Sequence, residues 1–153
     1  MKILFATDGT KQSEAAMEML MRFRLDAGDE VKAVSVIDMA VPMAVDIYGG
    51  YLPDSAEFER TARENAGNIL NETVDRLNLH FNEPGLNIST EVLFGSPESR
   101  IVEAAEDFQP DLIVLGSHGY KAWERLLLGS VSESVLHHVH CSVLVARCPP
   151  EDS

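Results

Sequence analysis

Residues 112–115, Leu-Ile-Val-Leu, and residues 143–146, Val-Leu-Val-Ala, are apolar runs in which polar and apolar residues do not alternate. A strand that has one face in water alternates, whereas a strand of a parallel sheet is covered on both faces and is apolar throughout. The two segments therefore predict buried strands of a parallel sheet.

Three more segments have the composition of strands. Residues 2–6 form a short β-prone run that stops at Asp8-Gly9, and residues 31–37 form a β-branched run after a turn at Gly28. A weaker strand at about 88–93 follows the turn Glu83-Pro84-Gly85. The chain thus supplies five strands.

Helical patterns separate these strands. Ala16, Leu20 and Phe23 recur at helical spacing after the first strand. A long second helix is predicted after the second strand, because residues at helical spacing form one stripe there: Phe58, Ala62, Ala66, Ile69, Thr73 and Leu77.

Two further helices are predicted from their start signals. Ser96-Pro97-Glu98 supplies an N-cap, a proline at the first helical position and an acid in the first turn, and this helix ends before Pro110. The last helix begins at Ser130, and Glu133 completes the spacing of a capping box.

The order βαβαβαβαβ predicts an α/β fold, an open five-stranded parallel sheet with helices on both faces. The length fits one domain, 1–148, with a short C-terminal tail at 149–153. Residues 38–56 have no clear periodicity, and two interpretations stay open: a mobile lid or partner surface, or an inert insertion.

Composition excludes several classes of function. Apolar residues make up 45% and charged residues 24%, and no apolar run approaches the ~20 residues of a membrane span. The N-terminus does not resemble a secretory signal, so we expect a cytoplasmic protein. A net charge of −13 argues against nucleic acid or an anionic membrane as partner. Cys141 and Cys148 are interpreted as structural thiols.

Two loops have the composition of a ligand site. One is Ala6-Thr7-Asp8-Gly9-Thr10, and the other runs from Gly116-Ser117-His118-Gly119 to Gly129-Ser130. In open α/β sheets ligands bind beyond the carboxyl ends of the strands. Glycines and a helix N-terminus hold a phosphate without Lys or Arg. The alternative stays open that the glycines merely turn the chain and Ser130 merely caps a helix.

The spacing Gly116-x2-Gly119-x9-Gly129-Ser130 resembles the nucleotide signature of ATP-binding universal stress proteins. The similarity extends over nearly the whole chain, through Ile3 to Gly9, Ser35 to Asp38 and Cys141 to Val145. The resemblance implies a Rossmann-like sheet of order 3-2-1-4-5, similar to adenine nucleotide alpha hydrolases, in which the first and fourth strands are adjacent.

The resemblance also implies a role for each matching residue. Those implied to bind the phosphates are Gly119, Gly129, Ser130, Val131 and Ser132. Gly116 would lie along the ribose, the floor would be Ala6, Thr7 and Asp8, and Val36 would meet the adenine through its backbone. Asp8 is the natural carboxylate for ribose hydroxyls or for Mg²⁺ (or Mn²⁺) shared with the phosphates, or else it caps the turn into the first helix.

For function, the resemblance implies a regulator of stress survival that responds to ATP (or AMP or ADP) and acts through protein partners that the sequence does not name. It also implies a homodimer through the 143–146 strand. No catalytic residue is assigned, because the sequence lacks the P-loop, nucleophile-elbow and zinc-protease motifs. Two alternatives remain: a slow Mg-dependent ATP hydrolase or self-phosphorylating protein, and an interaction scaffold without nucleotide.

Histidines give weaker signals. His118 lies inside the glycine loop with no nucleophile at a recognisable spacing, so we expect it to orient the loop. His137, His138 and His140 resemble a metal cluster only superficially, because the first two diverge by about 100° around a helix.

Overall fold

The computed structural model describes residues 1–38, 55–117 and 128–148. Its elements alternate along the chain: β1 Lys2–Ala6, α1 Lys11–Leu20, β2 Glu30–Ile37, α2 Ser55–Phe81, β3 Asn87–Phe94, α3 Pro97–Phe108, β4 Leu112–Gly116, α4 Ser130–His138 and β5 Ser142–Ala146. The five strands form one sheet of order β3-β2-β1-β4-β5, and every neighbouring pair is parallel. The predicted fold class and strand order are confirmed.

The sheet is covered on both faces, as the continuous apolar strands predict. On one face, Ile3 and Phe5 of β1 pack with buried residues of α1 and α2. On the other, Leu4 and Ala6 pack with buried residues of α3 and α4. Because successive side chains of a strand point to opposite faces, β1 contributes to both layers and lies at the centre of the core.

The long helix α2 departs from its predicted stripe at one end. Ala66, Thr73 and Leu77 are buried as predicted, but Phe58 is 37% exposed, and Leu70 is buried where Ile69 was expected. A helix of 27 residues is about 40 Å long, whereas a strand of 8 residues spans about 26 Å. The first turns of α2 therefore extend past the strands that would bury them.

Helix starts differ more from expectation. Ser96 occupies the N-cap of α3, yet its hydroxyl makes no cap bond and donates instead to Glu98 Oε2 at 2.6 Å. Helix α4 begins at Ser130 as predicted, but its N-cap is Gly129, so the predicted capping box of Ser130 with Glu133 is wrong. Ser130 is the first residue of the helix, and its hydroxyl donates to Glu98 Oε1 instead of accepting a first-turn N–H.

None of the described helices is long and apolar enough to cross a membrane.

Candidate functional site

The connections that follow the carboxyl ends of the neighbouring strands β1 and β4 diverge to opposite faces of the sheet. The chain leaves β1 into α1 on the first face and leaves β4 into α4 on the second. Strands β1 and β4 are adjacent, with Phe5 opposite Val114. Diverging connections leave a crevice between them, which is where open α/β sheets bind ligands. Both predicted loops end at this crevice.

The turn after β1 is held together by its own polar groups. The backbone N–H of Thr7 donates to the Val34 carbonyl at 2.9 Å and extends the pairing with β2. Asp8 Oδ1 accepts from the N–H of Thr10 at 3.0 Å and from the Thr10 hydroxyl at 2.5 Å. Gly9 has a φ of +76°, which favours glycine. Asp8 thus shapes the turn into α1 while its carboxylate stays half-buried at the crevice.

Gly116 ends β4 and has a packing role of its own. A Cβ at this position would lie 2.7 Å from the backbone carbonyl carbon and oxygen of Gln12 in α1. Such a separation is too short for any real contact, so only glycine allows α1 to lie this close to β4. The glycine that the signature aligns with the ribose is therefore required by the fold whether or not a ligand is bound.

Ser117 connects the end of β4 to the start of α4, a role that the sequence did not reveal. It is 2% exposed, and its N–H donates to the Ala146 carbonyl at 2.8 Å. Its own carbonyl accepts from the N–H of Gly129 at 2.8 Å and from the Ser132 hydroxyl at 3.1 Å. The only sequence signal is its place directly after a buried strand. These bonds fix the first turn of α4 at the crevice.

The N-terminus of α4 presents backbone donors to that crevice. Gly129 is extended, with φ −66° and ψ 158°, and no side chain caps the helix among the described residues. The N–H groups of Ser130, Val131 and Ser132 have no acceptor within the helix, because the first turn of any α-helix lacks the preceding carbonyls. The helix dipole adds positive potential at the same place. Such a terminus suits an anion.

The side chains of this first turn differ in what they offer. Ser132 is 1% exposed, and its hydroxyl lies 3.0 Å from the Gly129 carbonyl, so it is bound to the main chain. Ser130 is exposed, and its hydroxyl donates to Glu98 Oε1 at 2.8 Å. Of these two serines, Ser130 is therefore the one that a ligand from solvent can reach.

The remaining predicted site residues are Val36, which lies on the neighbouring strand β2, and residues outside the described ranges. Val36 is half-buried near the carboxyl end of β2, the strand next to β1, and pairs in register with Leu93 of β3. It lies at the same end of the sheet as Asp8. Gly119 and His118 lie outside the described residues, as does most of the 38–56 connection.

The C-terminal histidines do not converge. His137 Nε2 lies 3.9 Å from Glu133 Oε1, and His138 Nδ1 lies 2.8 Å from the Ser134 carbonyl oxygen. Within residues 1–38, 55–117 and 128–148, no three metal-ligating side chains form a cluster. Partial burial raises the pKa of the Cys141 thiol, which lowers its reactivity.

A cavity of about 160 Å³ lies away from the switch point, between the C-terminal ends of α3 and α4. Its lining includes Val102, Ala105, Pro110 and Val139. It is at the amino ends of the strands, which is the wrong end of an open α/β sheet for a ligand site. The crevice above β1 and β4 is therefore the better candidate on physical grounds.

Residues 1–147 match the universal stress protein family. Universal stress protein MJ0531 of Methanocaldococcus jannaschii is 32% identical over 151 residues, which is 99% of this chain and 84% of that protein. The solved structure of hypothetical protein MJ0577 has a TM-score of 0.82 at 28% identity and covers 98% of this chain and 97% of its own.

Two more distant structures share the fold. A universal stress protein in complex with cAMP has a TM-score of 0.65 at 20% identity, and covers 97% of this chain and 98% of its own. A family protein from Arabidopsis thaliana with AMP bound has a TM-score of 0.66 at 14% identity, and covers 99% of this chain and 94% of its own.

Proposed function

The chain belongs to the universal stress protein family, and from that premise we propose that it binds ATP, or the related nucleotides ADP and AMP, in the crevice between β1 and β4. In this proposal the protein is a nucleotide-responsive regulator of stress survival that acts through protein partners in the cytoplasm. Catalysis is not needed for that role, and no catalytic residue is assigned.

The observation that carries the proposal is the open first turn of α4 at the switch point. Its backbone donors are fixed there by Ser117, and the N-cap is a glycine with no side chain of its own. An anion would accept hydrogen bonds from these N–H groups and from the Ser130 hydroxyl. The positive end of the helix dipole would offset, at this place, the repulsion from a protein of net charge −13. Glycine-rich loops that lead into a helix N-terminus are an arrangement that binds phosphate groups.

Adenine is the base that we propose, and its support comes from relatives. The two distant structures hold cAMP and AMP, which makes an adenine nucleotide the first ligand to test. In our proposal the phosphates bind Gly129, Ser130 and the N–H groups of Val131 and Ser132, with Gly119 completing the loop. The ribose lies along Gly116, the floor is Ala6 and Thr7, and the backbone of Val36 contacts the adenine.

The crevice offers the carboxylate of Asp8 to a divalent cation. Mg²⁺ is usually held by one or two carboxylates together with the phosphates of its substrate. Asp8 offers one carboxylate at the crevice, and the two hydrogen bonds given above both go to its Oδ1. When bound, Mg²⁺ (or Mn²⁺) would neutralise phosphate charge. Asp8 would hold it together with the nucleotide itself.

A homodimer is part of the proposal. Strand β5 is an edge of the sheet, and its residues Val143, Leu144 and Val145 are only half-buried. An unpaired apolar edge favours pairing with a second copy. We expect wild type to sediment as a dimer at micromolar concentration and Val145→Lys to sediment as a monomer. A monomeric wild type would remove this part of the proposal.

The proposal is tested by titrating ATP into the protein by calorimetry, first with Mg²⁺ and then with excess chelator, after mass spectrometry of any co-purified small molecule. We expect saturable binding with Mg²⁺ and weaker binding with chelator, because the triphosphate brings about four negative charges to an acidic protein. Equal affinity in both conditions would remove Asp8 from the metal role. The absence of binding by ATP, ADP and AMP would overturn the proposal and favour an interaction scaffold.

A further inference from the structure

Glu98 connects the starts of two helices beside the proposed phosphate site. It lies in the first turn of α3, and its Oε2 accepts the Ser96 hydroxyl at 2.6 Å. Its Oε1 accepts the Ser130 hydroxyl of α4 at 2.8 Å. One carboxylate therefore bridges the N-termini of two helices that pack on the same face of the sheet.

The Ser130 hydroxyl has a single proton to donate. In the structure that proton goes to Glu98. In the proposed nucleotide complex the same proton goes to a phosphate oxygen. The hydroxyl cannot donate to both, so a phosphate that uses Ser130 has to displace Glu98 from it.

Charge makes this exchange costly for the nucleotide. A phosphate oxygen bound to Ser130 would lie no more than about 5.5 Å from Glu98 Oε1 if the carboxylate keeps its place. Two features hold it there: the Ser96 hydroxyl and the positive end of the α3 dipole. The carboxylate thus repels the anion that competes for its donor.

We propose that Glu98 is a specificity-determining residue of the nucleotide site, one that competes with phosphate for the Ser130 hydroxyl and lowers affinity most for the most highly charged nucleotide. The inference rests on the proposed function and adds to it the control of affinity. The additional phosphates of ATP give it more contacts than AMP, but Glu98 repels their charge. The difference in affinity between ATP and AMP is therefore smaller than it would be without Glu98.

The first experiment compares Glu98→Gln with Glu106→Gln, a charge-matched control on the exposed C-terminal part of the same helix. Calorimetry with ATP in excess chelator and with AMP gives four affinities beside those of wild type; Mg²⁺ is left out because it would bring the charge of ATP down to about that of AMP. We expect Glu98→Gln to bind ATP about three- to tenfold more tightly, as expected for two charges ~5.5 Å apart that water screens almost fully. The gain for AMP is smaller, and Glu106→Gln changes neither.

A second pair of variants separates competition for the proton from simple repulsion. Glu98→Asp keeps the charge in the first turn of α3 but shortens the reach to Ser130 by one methylene, so we expect a smaller gain than for Glu98→Gln. In a Ser130→Ala background we expect Glu98→Gln to raise nucleotide affinity by less, because there is no longer a hydroxyl for which carboxylate and phosphate compete.

The outcomes distinguish the inference from the function on which it rests. If wild type binds nucleotide and Glu98→Gln binds it equally or more weakly, the inference is wrong and the proposed function stands. A gain that is as large for Glu106→Gln also overturns it, since net charge alone would then be the cause. Wild type that binds no adenine nucleotide overturns both. Circular dichroism and thermal melts establish that each variant is folded.

Discussion

Helices α3 and α4 begin at the same end of the sheet and pack on the same face, yet their first turns have opposite character. In α3, Pro97 removes one backbone N–H, and Glu98 places a negative charge in the first turn, where the helix dipole favours it. In α4, the N-cap is Gly129 and no described side chain caps the turn. Neither helix has a side-chain cap bond, but α3 has one N–H fewer and a carboxylate at its second residue, so we call its start closed; the start of α4, with all its N–H groups, we call open.

The difference teaches that an open helix start is informative mainly beside a neighbouring start that is closed in this sense. A glycine N-cap alone has an ordinary structural explanation, because glycine is among the residues found there. Here Ser117 fixes the open turn at the switch point, while the closed turn of α3 stands beside it and lends a carboxylate to Ser130. The comparison can be broken by closing α4.

Gly129→Asp closes it and has the largest expected effect. Aspartate accepts the first-turn N–H groups from the N-cap and places a negative charge where the phosphate would bind. The observed φ of −66° suits any residue, so the backbone at this position can stay as it is. We expect a loss of ATP affinity of more than about 100-fold, because donors are lost and repulsion is added.

Thermal melts with and without Mg-ATP measure this, since a ligand stabilises only the protein that binds it. We expect the empty Gly129→Asp protein to be as stable as wild type or more stable by a few tenths of a kcal/mol. Asn71→Asp, an exposed site on α2, adds the same charge elsewhere and serves as control. A variant that gains as much melting temperature from Mg-ATP as wild type would show that the phosphates bind elsewhere.

Ser130→Ala sharpens the comparison and has the next largest effect. We expect ATP affinity to fall about tenfold, the lower end of what a hydrogen bond to a charged group contributes, because the hydroxyl leaves Glu98 to make it. Stability changes little, since Ser130 is not the N-cap and alanine is the better helix former. Calorimetry and a denaturant titration give the two quantities. A large loss of stability would restore a capping role for Ser130.

The sequence predicted the fold well because the fold depends on patterns that repeat along the chain. The apolar runs at 112–115 and 143–146 fall inside β4 and β5, and Pro97 marks the first residue of α3. Helix α2 was predicted less well at its start, because the length of a stripe does not tell where the sheet beneath it ends. Phe58 is exposed for that reason.

The site was predictable only in part, because its decisive contacts join residues that are distant in sequence. The bond from Ser130 to Glu98 spans 32 residues, and the capping-box spacing around Ser130 gave a plausible but wrong local partner. The packing role of Gly116 depends on Gln12 of another element. Motif spacing locates the crevice, whereas only the tertiary structure tells which donors remain open within it.

The smallest expected effect tests whether α3 is closed by Glu98 and Pro97 rather than by its N-cap serine. Ser96 donates its hydroxyl to Glu98 and makes no cap bond, whereas Thr10 caps α1 by accepting the N–H of Ser13 at 3.4 Å. Replacing a working N-cap by alanine costs about 0.5–2 kcal/mol. We therefore expect Thr10→Ala to lower the free energy of unfolding by about 1 kcal/mol and Ser96→Ala by less than about 0.5 kcal/mol. Denaturant titrations without nucleotide compare them directly. An equal loss would mean that Ser96 caps α3 after all, and the contrast between the two helix starts would then rest on Gly129 alone.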